Sequence, residues 1–158
     1  MAAVGPGGLV LVPAGATILD AGAWIGHVCW AELRFHQLLT GWLAVESDRA
    51  LTPVLWTIRA HRAELAEVWH RRLPELRELP RAGFVEPSRW AEEALAAMEA
   101  LTGPAASAVR VKTLSGALST MADHYRRHLL VAVGPADGPT AATLATAIAR
   151  SESDQALL

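Results

Sequence analysis

The sequence is short of cysteine: Cys29 stands alone in 158 residues, so no internal disulfide forms and a reducing compartment is permitted. No apolar run approaches the ~20 residues that cross a bilayer. Residues 1–17 lack a basic leader region, and the apolar run 8–12 is short for the core of a secretion signal, so the expected location is cytoplasmic, with no membrane partner. Lysine is nearly absent too. Thirteen of the fourteen basic residues are Arg, spread without an aromatic-basic stripe at a net charge of −2, which argues against nucleic acid as a partner. There is no phosphate-cradling Gly-x-x-x-x-Gly-Lys, no strand-turn-helix glycine fingerprint and no His-Glu-x-x-His. Neither an internal repeat nor a period-two strand pattern occurs beyond the N-terminal arm.

At 52% hydrophobic content, the chain is long enough to bury one core. Residues 1–17, with four glycines and two prolines, read as an extended arm, and 18–158 as a helical domain. A first helix is expected over 18–45, with Thr17 or Asp20 as N-cap. After a polar turn at Glu46, Ser47 and Asp48, the pair Thr52-Pro53 signals a second helix that runs to Leu73 and stops at Pro74. So short a link makes these two antiparallel neighbours. Residues 74–105 hold most of the internal prolines and one short helix over 88–101, enough to cross from one end of a bundle to the other. A third helix follows over 107–133, stopped by Gly134-Pro135, and a fourth runs from Thr140 to the end. The expected fold is all-α: a four-helix bundle of two antiparallel hairpins joined by a long crossover containing a short helix.

The first helix puts a carboxylate where an apolar residue belongs. At about 100° per residue, Ile25, Val28, Phe35, Leu39, Trp42 and Leu43 share a face, with Glu32 near its middle and His36 at its edge. A buried Glu needs a partner, a proton or a metal. On the second helix, Val54, Ile58, Leu65, Val68 and Trp69 mark an apolar face containing His61, with Glu64 at its border; Glu67 and His70 point the other way. Either that helix is buried on both sides or His61-x-x-Glu64 is its inward pair. On the third, Leu114, Leu118, Met121 and Tyr125 share a face with His128, and His124 sits at its edge. On the fourth, Leu144 and Ile148 mark the inner face, with Gln155 on it and Glu152 nearby.

This arrangement resembles the ferritin-like superfamily, whose dimetal bundles take a Glu from each of two helices and Glu-x-x-His from each of the other two. Glu32 matches the lone Glu, and Glu67-Val68-Trp69-His70 matches Glu-x-x-His. The second half departs from the pattern, with Asp123, His124 and His128 on the third helix and Glu152-Ser153-Asp154-Gln155 on the fourth. The resemblance implies iron or another divalent metal held by a subset of Glu32, His36, His61, Glu64, Glu67, His70, His128 and Glu152. It also implies an oxidoreductase that activates dioxygen on a small-molecule substrate the sequence does not identify.

Two other readings stand beside it. In a DinB-like bundle, three histidines hold one metal; His124-x-x-x-His128 places two on one helix face, and His27 or His36 would be the third. In a non-catalytic helical module, Glu32 pairs with an arginine such as Arg59 or Arg62, and the six tryptophans fill the core and a homodimer contact.

Overall fold

The computed structural model describes residues 3–4, 10–11, 16–132 and 137–158. Apart from a two-residue antiparallel ladder, β1 (Ala3–Val4) with β2 (Val10–Leu11), the described chain is helical. Its helices are α1 (Ile18–Leu43), α2 (Leu51–Arg72), α3 (Arg89–Glu99), α4 (Ser107–Leu129) and α5 (Gly138–Gln155), with a 3-10 turn at Arg81–Phe84 that the sequence did not signal. The rest of the N-terminal arm and the Gly134-Pro135 stop lie outside the described residues.

Local chemistry explains the boundaries. The Thr17 hydroxyl accepts from the Asp20 amide at 3.2 Å and donates to the Asp20 carboxylate at 2.8 Å, capping α1 as expected. The start of α2 differs from the Thr52-Pro53 expectation. Asp48 accepts from the amides of Ala50 at 2.8 Å and Leu51 at 3.4 Å, so the helix begins at Leu51. A carboxylate three residues ahead of Leu51 outcompetes the threonine, whose hydroxyl instead donates back to the Asp48 carbonyl at 2.9 Å. Leu73 then turns extended before Pro74 and ends α2.

Contacts along α1 and α2 run in opposite order: Cys29 with Ala66, Glu32 with Arg62, His36 with Arg59. The two helices are therefore antiparallel, as their short link requires. α4 packs mainly on α5, α2 also touches α5, and α3 lies against both α1 and α4. The 3-10 turn rests on α1 at Gly26, where a Cβ would fall 1.8 Å from the Phe84 carbonyl oxygen. Only glycine permits that approach. The core between the helices holds Phe35, Leu39, Trp42, Leu55, Ile58, Trp69, Leu114, Leu118 and Met121.

One end of the molecule is tied by Glu46. It accepts from the Ser107 hydroxyl at 2.6 Å, from the Asp48 amide at 2.9 Å and from Arg110 at 2.9 Å. Burial alone would raise its pKa, but those three donors outweigh it and hold the carboxyl at about 2.

Candidate functional site

Glu32 is fully buried on α1, and its neighbours come from the other three long helices. Arg62 on α2 places Nη1 3.4 Å from both Glu32 oxygens and 3.3 Å from the Ser151 hydroxyl. Its Nη2 donates to Asp154 on α5 at 2.5 Å. The other Asp154 oxygen meets Nδ1 of half-buried His61 at 2.5 Å, and the Tyr125 hydroxyl of α4 donates to Glu32. The Arg62 guanidinium also lies 5.6 Å from the Phe35 ring centroid. Two buried carboxylates thus flank one buried cation, with a single imidazole leading outward. That is an ionic interior closed upon itself.

The energetics follow from the missing water. Burial raises the Glu32 pKa; Arg62 and the Tyr125 hydroxyl oppose that shift, and Asp154 adds to it. Desolvation would lower the Arg62 pKa, but Glu32 and Asp154 more than reverse it and keep the guanidinium charged. Burial and the adjacent Glu32 push Tyr125 well above the usual phenol value, so it stays a donor. Close by, the Cys29 thiol donates to the Ala66 carbonyl at 3.4 Å and is raised to about 11 by burial and by Glu32. It is a packed, unreactive thiol.

A second polar cluster sits beside the first in an aromatic layer. Trp24 stacks on His128 with ring centroids 3.5 Å apart, and Trp90 stacks on His124 at 3.6 Å. Trp24 also lies nearly parallel to His124 at 5.6 Å. Burial lowers His124 to about 3, reinforced by His128, Arg127 and His27; it lowers His128 to about 4, with Asp137 opposing. Both imidazoles are neutral at pH 7. Among the described residues, neither ring nitrogen of His124 has a hydrogen-bond partner, nor does Nδ1 of His128.

The residues singled out from the sequence scatter around these two clusters. Glu32 and His61 join the ionic network, and His128 joins the aromatic layer. His36 is half-buried, its Nδ1 3.1 Å from the Arg59 carbonyl. Glu64 is exposed and pairs with Arg150 at 3.4 Å, and Glu152 is exposed and pairs with Arg126 at 2.6 Å. Glu67 pairs with Arg71 in the solvent, and His70 beside it is exposed. Of the two orientations left open for α2, the buried side holds Ile58, Arg62, Leu65, Ala66 and Trp69, so Arg62 takes the centre and His61 its flank. His27 is tied to Glu86 at 3.7 Å, away from His36.

These side chains do not fit a dimetal centre. Such a centre needs carboxylates and imidazoles converging on the ions with free lone pairs. Here a guanidinium already stands between Glu32 and Asp154, and the one imidazole touching either carboxylate turns its Nδ1 to Asp154. Among the described residues, no three His, Cys, Asp or Glu side chains are grouped as a metal would need.

Two members of the network carry weaker sequence signals. Arg62 entered only as a candidate partner for Glu32, because arginine at the centre of a buried face is rare. Asp154 was passed over, although Leu144, Ala147, Ser151 and Asp154 follow one another at helical spacing on the buried side of α5.

The geometry defines an all-helical protein with a buried carboxylate–guanidinium network, and among the described residues no helix is long and apolar enough to cross a membrane. No family model, curated protein or solved structure matches the chain.

Proposed function

We propose that the four long helices form a ferritin-like bundle, two antiparallel hairpins joined by the 74–105 crossover, in which Arg62 takes the position that metal ions hold in the dimetal members. On this reading the chain is a non-catalytic helical binding module. The observation that carries it is the Arg62 guanidinium between Glu32 and Asp154, all three fully buried. A fixed cation there pairs with both carboxylates at once, where an iron pair would have to bind, cycle and leave sites open to dioxygen.

The reading keeps the expectations of a cytoplasmic chain and a homodimer. Exposed Trp56 on α2, Leu33 on α1 and Leu130 after α4 offer apolar surface to a second copy. Light scattering during size exclusion tests the dimer.

Anaerobic titration with ferrous iron, followed by exposure to air, tests the function. The expected result is no saturable binding, no ferric absorbance and a melting temperature unchanged by iron or chelator. Stoichiometric binding that Glu32→Ala removes would overturn the reading and restore an iron oxidoreductase.

A further inference from the structure

The surface between α3 and α4 holds a groove of about 700 Å³, within the range of small-molecule sites. Small side chains make its apolar floor: Ala94 and Ala97 from α3, Gly116 and Ala117 from α4. A Cβ at Gly116 would meet nothing within 4 Å, so the channel is open above it. Its α4 wall runs from Lys112 to Arg127, about 22 Å at the helical rise of 1.5 Å per residue. The groove is elongated along α4, which suits a chain-like ligand more than a disc.

Two observations give it chemistry. First, His124 lines the groove while only 1% exposed, with its ring between Trp90 and Trp24 and both nitrogens unpartnered among the described residues. A buried neutral imidazole that makes neither of its hydrogen bonds calls for a partner, and the groove borders this ring, whose nitrogens a head group reaches by displacing the groups that cover them. Second, the charge of the lining is one-sided. Glu93, its one carboxylate among the described residues, is already paired with Arg89 at 2.8 Å. Among the described residues Arg127 uses only Nε, donating to the Asp123 carbonyl at 3.3 Å, and its terminal nitrogens complement an anion beside His124.

We propose that the α3–α4 groove binds an elongated amphipathic carboxylate, a fatty-acid-like chain lying over Ala94, Ala97, Gly116 and Ala117 with its head group at His124 and Arg127. The His124 N–H and the Arg127 guanidinium donate to the carboxylate, and the alkyl chain covers the alanine floor. The inference is independent of what neutralises Glu32.

Decanoate, titrated into the full chain below its micelle concentration, tests it by calorimetry and by intrinsic tryptophan fluorescence compared with a Trp90→Phe variant. Saturable binding is expected. His124→Phe and Arg127→Met should each weaken it about tenfold or more, and Gly116→Leu, which fills the channel, should abolish it. Arg127→Met and Gly116→Leu change exposed or open positions, so they keep the test valid even if His124→Phe fails to fold. Decanol, with the same chain and no charge, should bind at least tenfold more weakly. Absence of saturable binding would overturn the proposal. So would equal affinity for decanol, or an affinity that the His124 and Arg127 variants leave unchanged.

Discussion

Two of the buried polar clusters among the described residues, one ionic and one aromatic, end in opposite states. Around Glu32, three helices supply a hydroxyl, a guanidinium and a second carboxylate, and every charge has an opposite within 3.4 Å. Around Trp24 and Trp90, two imidazoles stack on indoles and, among the described residues, leave three of their four nitrogens unpartnered. Burial cost is met in the first cluster by mutual pairing and in the second by discharge, the histidines shedding their protons. The ionic cluster pairs its charges internally and, among the described residues, leaves one buried donor over, the Arg62 Nε. The open one borders a groove. Function is therefore sought in the second region and architecture in the first.

Breaking the closed cluster should cost most. Arg62→Met leaves Glu32 and Asp154 buried without their cation, and urea denaturation should show a loss of about 3–5 kcal/mol. The open cluster answers to pH instead. Because His124 and His128 have folded pKa values of about 3 and 4, below the unfolded value of 6.5, the unfolded chain binds more protons once the pH falls below 6.5. The stability contributed by keeping them neutral is present above pH 6.5 and is lost progressively as pH falls through about 4 and then 3. Denaturation midpoints measured between pH 7 and pH 4 should fall in the native chain and flatten in His124→Phe with His128→Phe, while Arg62→Met should keep the slope.

Smaller changes sharpen the contrast. Tyr125→Phe removes one donor to Glu32 and should cost about 2 kcal/mol in the same urea experiment. His61→Ala should cost least, about 1 kcal/mol, because the ring is partly solvated and Arg62 still holds Asp154.

Much of the helical order was legible in advance. Proline and polar turns mark the helix ends to within a few residues, and the apolar stripe of α1 places Glu32 inside. The site was harder to read because one residue along a helix turns the face by about 100°. His61 and Arg62 are adjacent, and a reading weighted by hydrophobicity prefers the histidine. Yet the guanidinium is the larger cation and reaches both carboxylates. On α5 the buried side is made of Thr143, Leu144, Ala147 and Ser151, mostly small or hydroxylated, so its stripe is faint and Asp154 at its end is easy to miss. The groove has no local sequence signature at all. It exists because the crossover lays α3 against α4, a long-range contact that no spacing within either helix announces.

Arg62 is the group that neutralises Glu32, and a double-mutant cycle measures that coupling directly. Equilibrium unfolding of the native chain, Arg62→Met, Glu32→Leu and the double variant should give a coupling of about 2–3 kcal/mol, with the double variant more stable than Arg62→Met alone. Costs that simply add would mean the two side chains do not depend on each other, and the closed ionic interior would have to be abandoned.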